Sequence, residues 1–267
     1  MQRKIWLLAL ILAQAACRAS ETAQPRGPVP IAPDPAPRVS DLTLEQVIAK
    51  ALAARGGEEK LRAVKAVKMT GTMTTREVSA GPTTLLVAPR RYLRRIVQGA
   101  SGALINAVDG AAAWEVSPRN GIVKPTPMSA PDAARFRRLA DPQGPLLDWQ
   151  AKGNKVGLVG KLSWQGQEVY KLELTYADGG VNHLYLDAQS FLPVRMVSSL
   201  YVPPLGKDIP VEYVYRDFRE VAGVKWPFVE EGRAPDVDFK QAIVWQRIEV
   251  NPPIDDAAFS MERKSGR

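Results

Sequence analysis

The chain has 267 residues, 45% apolar and 24% charged, which is a globular balance and not a disordered one. Its net charge of +8 suits an anionic membrane surface or an acidic partner. No helix-turn-helix, zinc-finger or RNA-binding signature accompanies that charge, so no nucleic-acid partner is expected. The single cysteine excludes an internal disulfide framework and a cysteine-based zinc site, and the single histidine excludes a multi-histidine metal centre.

Residues 1–16 read as a signal peptide. Arg3 and Lys4 form a basic start, and Ile5 to Leu12 is an apolar run too short to span a bilayer. Cys17 follows Ala15-Ala16, in the manner of a bacterial lipobox whose cysteine is acylated. Gln14 stands where such boxes usually carry leucine. Cleavage after Ala15, through Ala13-Gln14-Ala15, is the alternative. Lipidation at Cys17 would tether the protein to a membrane surface. Arg18 in place of an inner-membrane retention aspartate points to the outer membrane, facing the periplasm. Residues 17–40 then form a tether, with six prolines between Pro25 and Pro37. In polyproline form, Arg18 to Ser40 would reach roughly 60 Å at ~3 Å per residue.

The folded body is expected over 41–267. Asp41 to Gly57 is a predicted helix. Thr43 and Gln46 make a capping box, and Leu44, Val47, Ile48, Ala51 and Leu52 share one face. Gly56-Gly57 stops it, and Glu58 to Val64 adds a helical turn or two. Strands follow at Lys65–Val78, Thr83–Ile96, Ala103–Val108 and Ala111–Ser117, with Asp109-Gly110 as a hairpin turn. Pro131 opens a helical interlude, and a second short helix is expected over Pro145–Lys152. After Asn154 the pattern is nearly all strand, to Val250. Consecutive strands joined by tight turns mean one antiparallel sheet, mainly β, of about ten or eleven strands.

So many strands should curl, and their concave face needs apolar cover. Met69 and Met73 share a face of the first strand. Tyr170, Leu172 and Leu174 line another, continued by Tyr176, and Leu184 and Leu186 line the next. If short helices cover these faces incompletely, an apolar cavity results, and these residues are its candidate lining. Plain core is the alternative for the same alternation. Arg135 and Arg138 on the interlude helix are candidates for a lid that meets lipid head groups; a solvated helix face is the alternative.

Several stretches taken together resemble a known family. They are ALAARGGEEKLRAVKAVKMTGTM, VAPRRYLRR, VDGAAAW, LYLDAQSFLPVRM, DFREVAGVKWPF and IEVNPPIDDAAF. Their order and spacing, over most of Leu42 to Phe259, resemble the outer-membrane lipoprotein-sorting family, the LolA/LolB-like proteins and their lipid-binding lipoprotein relatives. The resemblance implies an unclosed antiparallel β-barrel with helices as a lid. It implies a cavity that holds the acyl chains of a lipid or lipoprotein, with no catalytic residue and no cofactor. One departure is Ala88, before Pro89, where the periplasmic carrier of that family has a basic residue. An envelope protein-interaction or stress-sensing module with the same fold and no lipid cargo is the alternative function.

Two sharper candidates carry little. His183 lies four residues from Asp187, about 13 Å along a strand at ~3.3 Å per residue, so Asp187 cannot orient the imidazole. Asp187 is better used to start the turn Asp187–Ser190. No Gly-x-Ser-x-Gly elbow supplies a nucleophile. Asp255-Asp256 is better read as the cap of a terminal helical turn than as an acid/base or metal pair. An acyl chain needs no such chemistry. At ~0.8 kcal/mol per methylene, sixteen carbons offer on the order of 10 kcal/mol gross.

Overall fold

Short alternating segments and tight turns build one sheet. The computed structural model describes residues 31, 33–75, 81–97, 102–202, 206–237 and 239–261. The leader and Cys17 lie outside the described residues. Thirteen strands are β1 (Val67–Thr75), β2 (Gly81–Ala88), β3 (Arg91–Val97), β4 (Ala103–Asp109), β5 (Ala112–Ser117), β6 (Ile122–Pro127), β7 (Lys155–Trp164), β8 (Gln167–Thr175), β9 (Val181–Asp187), β10 (Pro193–Val202), β11 (Lys207–Val221), β12 (Val224–Ala234) and β13 (Phe239–Val250). Three helices accompany them among the described residues: α1 (Leu44–Ala54), α2 (Glu58–Ala63) and α3 (Ala130–Leu139).

Every strand pairs antiparallel with its neighbour, in the order β6-β5-β4-β3-β2-β1-β13-β12-β11-β10-β9-β8-β7. The chain therefore starts mid-sheet, runs to one edge, crosses through α3 and returns from the other edge. β6 and β7 do not pair, so the barrel stays open. Each edge is blunted. Pro125 and Pro127 remove donors from β6. On β7 the backbone of Arg38 exchanges two hydrogen bonds with Lys161, at 2.7 and 3.0 Å.

The strand count exceeds the expected ten or eleven for two reasons. Thr83–Ile96 is two strands, because Pro89 and Arg90 (φ 62°) turn the chain between β2 and β3. β6, with two prolines in six residues, carries no strand signal. The helix expected over Pro145–Lys152 is instead a run of turns. Asp148 takes a left-handed φ of 51°, which an α-helix cannot continue through.

α1 forms as its sequence dictates. Thr43 and Gln46 bond reciprocally as a capping box, and Val47, Ile48, Ala51 and Leu52 are buried. They pack on the concave face in the main core, with Leu172, Leu186, Ile243 and Trp245. Gly71 shows how tightly β1 meets β13. The register shifts there, and a Cβ at Gly71 would overlap the Val244 carbonyl.

The convex face is held by the two ends of the chain. Phe259 fills a pocket against Leu93, Ile105 and Trp114, and Trp114 Nε1 donates to the Phe259 carbonyl at 2.8 Å. At the other end, Asp34 lies against β8–β10. It accepts from Lys171 at 2.7 Å, Tyr185 at 2.5 Å and Arg195 at 2.7 Å. Arg195 also donates to buried Glu212 at 2.6 Å, and Arg233 completes the chain of charges. Burial pushes the Asp34 carboxyl up, but the three hydrogen bonds outweigh it and hold its pKa below 3.8. The proline-rich segment is thus docked to the sheet from Asp34 onward.

Candidate functional site

Two helical packs sit on the concave face. Under the first, Tyr170, Leu172, Leu174, Leu184 and Leu186 are sealed in the main core with the buried face of α1. Tyr170 stacks on Phe191 at 5.6 Å, and its hydroxyl donates to Asp41 at 2.8 Å. Burial and then Asp41 push its pKa up to about 12. None of these five side chains lines either of the two cavities described next.

The second pack is α3. Ser129 caps it, accepting from the Asp132 amide at 3.3 Å, and Ala133 and Phe136 turn inward. Phe136 meets Tyr92 at 5.4 Å between ring centres, in a cluster with Val87, Val108 and Ala140. The helix end is tied to β3 by a bond from the Arg90 amide to the Ala140 carbonyl, 3.0 Å. Arg138 forms a clasp across to the β8–β9 turn. Its Nε donates to both oxygens of Asp178, at 3.0 and 2.9 Å, while its guanidinium lies over Tyr176.

Between these packs the concave face is left uncovered by side chains, and a cavity of about 330 Å³ opens there. Its strand walls include Met69, Val87, Met196, Tyr215, Ile243 and Trp226, and Phe136 and Leu139 of α3 form its roof. A second cavity of about 180 Å³, reached by Met73, Ile96, Leu104 and Phe239, adjoins it. Arg94, Arg135, Phe136, Tyr213 and Gln241 belong to the walls of both. Of the residues picked from sequence, Met69 lines the larger cavity, Met73 the smaller, Arg135 both and Arg138 the larger.

Several polar groups of the larger cavity are unusual. Glu230 is half-buried on the cavity wall. Burial raises its pKa, opposed by a 2.7 Å hydrogen bond donated by Trp245 Nε1 and by Arg94. Burial drags the Arg55 guanidinium from 12.5 down to about 10, against the pull of Asp141. Arg55 sits over Trp226, 5.4 Å from the ring centre. Tyr92 and Tyr215 have pKa values raised by burial, so both phenols stay neutral. The Nε atoms of Arg94 and Arg135 and Nε1 of Trp226 are buried with no hydrogen-bond partner.

Strand alternation in the sequence also marks some of the other cavity residues. Tyr92, Arg94 and Ile96 alternate on β3, as do Tyr213 and Tyr215 on β11, and each set faces inward. Arg94 was hidden among Arg90, Arg91 and Arg95.

The reactive candidates are ordinary structure. His183 Nε2 lies 3.4 Å from Glu173 of the neighbouring strand. Burial, then Lys171, lower its pKa against the pull of Glu173. Asp187 accepts from the amides of Gln189 and Ser190, at 3.2 and 2.7 Å, and starts the turn. Asp255 caps the final helical turn through the Ala257 amide at 2.9 Å, and Asp256 pairs with Arg91. No cluster of three or more His, Cys, Asp or Glu side chains that could hold a metal ion occurs among the described residues.

No protein-family model matches the sequence, and no curated protein matches it. Solved structures do. A LolA superfamily protein from Nitrosomonas europaea is 14% identical with a TM-score of 0.53, covering 82% of this chain and 98% of that one. A protein domain from Vibrio parahaemolyticus, described as an outer membrane lipoprotein-sorting domain, is 12% identical with a TM-score of 0.53, covering 80% and 94%. A DUF1329 family protein from Desulfovibrio piger is 11% identical with a TM-score of 0.55, covering 81% and 97%. The chain therefore has the unclosed-barrel fold of the LolA superfamily structures, as the sequence resemblance implied.

Proposed function

We propose that this chain is an exported envelope protein that captures the acyl chains of a lipid or lipoprotein beneath α3, for sorting or transport. The observation that carries this reading is the larger cavity. It is mostly apolar, lies on the concave face and is roofed by one short helix. Its volume of about 330 Å³ falls in the range of small-molecule sites. The sorting description of the Vibrio domain with the same fold points the same way.

Binding would be driven by transfer of methylenes out of water, with no turnover and no cofactor. α3 is the gate, held shut by the Arg138–Asp178 clasp. The leader sends the chain across the inner membrane, and a lipidated Cys17 would hold it at the outer membrane. Because Asp34 is docked, the span from Cys17 to the body shortens to roughly 50 Å at ~3 Å per residue.

Ser198, on β10, lines the larger cavity. Ser198→Trp should fill it. Exclusion of only two methylenes, at ~0.8 kcal/mol each, weakens binding about tenfold. Titration of a fluorescent acyl probe against wild type and variant reads this directly. Equal affinity in both would place the probe elsewhere and remove the cavity from the proposal.

A further inference from the structure

Two of the three buried side-chain nitrogens without a partner among the described residues lie at the junction of the two cavities. Arg94 carries five N–H donors on its guanidinium. Its partners are the Met73 sulfur at 3.1 Å and a long contact to Gln241 Oε1 at 3.4 Å, both neutral. Its Nε has no partner, and no carboxylate lies within 4.0 Å of it among the described residues. Arg135 reaches the same place from α3. It rests on the Phe136 ring, 4.2 Å from its centre, and its nearest carboxylate is Asp132 at 3.7 Å on its own helix. Its Nε is likewise unpartnered.

The contrast with other arginines is instructive. Arg195 is bonded to two carboxylates and Arg138 to both oxygens of one. Both side chains are half-buried, but each Nε is shut off from water, where an unpaired polar group is costly. Glu230 feels the Arg94 charge but already accepts from Trp245 Nε1 at 2.7 Å. Two guanidinium-bearing side chains from different elements, Arg94 and Arg135, thus line both chambers. A planar guanidinium fork matches the oxygens of a phosphate or carboxylate.

We propose that this junction is an anion site, and that the ligand is an anionic amphiphile. Its phosphate or carboxylate head lies between Arg94 and Arg135 and its acyl chain in the larger cavity. The inference rests on the acyl-binding reading above. It assigns the head group to Arg94 and Arg135 and not to Arg138, which Asp178 already occupies.

The test uses three ligands with the same sixteen-carbon chain: palmitate, a monopalmitoyl glycerol phosphate and uncharged monopalmitoyl glycerol. Affinities are measured on the mature full-length protein, on Arg94→Gln, on Arg135→Gln and on Arg135→Lys, with folding of each checked by circular dichroism. A charge-assisted hydrogen-bond pair predicts that wild type prefers an anionic ligand about tenfold or more. The two Gln variants should erase that preference by weakening the anionic ligands more than the uncharged one, and Arg135→Lys should keep part of it. Which anion binds tighter separates a phosphate head from a carboxylate one. Equal affinity for all three ligands in wild type would overturn the anion site and leave acyl binding standing. A preference that survives both Gln variants would place the anion elsewhere and also overturn it. Failure of all three to bind would overturn acyl binding and the anion site together.

Discussion

Alternation tells which side chains share a face, but not whether that face is filled. Leu172 and Met69 both sit at inward positions of strands, yet one is sealed under α1 and the other borders open space. Leu172→Ala should therefore cost about 3 kcal/mol of stability in urea unfolding. The folded variant should retain its affinity for an acyl probe, and weakened binding in the folded fraction would bring Leu172 back to the cavity. Asp34 makes a different claim. Its pKa is depressed in the folded state, so its stabilisation is present above 3.8 and is lost as pH falls through the folded value. Asp34→Asn should lower stability by about 2 kcal/mol at pH 7, the scale of hydrogen bonds to a charged group. Variant and wild type should converge in acid. A gap that persists at pH 2 would mean that the carboxylate charge is not what docks the segment.

Among the elements, α3 is the one whose motion matters. A Cβ at Gly180 would collide with the Arg138 guanidinium. That group is the far end of a flexible side chain, so it can swing away and release Asp178. Gly180→Ala should then cost under about 1 kcal/mol of stability, as a partly exposed ion pair does. It should speed probe release as much as Arg138→Ala, and the double variant should add nothing further. Additive effects on the release rate would separate Gly180 from the clasp. The helices and most strands were legible in the sequence because local rules decide them. Thr43 and Gln46 capped α1, Asp109-Gly110 turned a hairpin, and Asp255 capped the last turn. β6 was not legible, since its prolines suit only an edge whose pairing is set by the rest of the sheet. The run of turns at 145–153 was likewise hidden, because the left-handed Asp148 is a product of context. The cavity residues were only half legible. Met69, Met73, Arg135 and Arg138 were picked out. Tyr170 and the four leucines were equally plausible by alternation, and only the position of α1 separates the two groups.

For the whole molecule, the two faces of the sheet have different jobs. The convex face is fastened by the chain ends, Asp34 over β8–β10 and Phe259 over β3–β5. The concave face is covered by α1 and α3 with a gap between them. Thirteen strands that curl without closing give that face its depth, and the blunted edges keep it from pairing onward. The most direct measurement is native mass spectrometry of the exported, mature protein purified without detergent, paired with organic extraction of what it carries. Acyl capture predicts one acyl-containing molecule per chain, displaced in the Ser198→Trp variant. A bare protein mass, unchanged after incubation with envelope lipids, would contradict it.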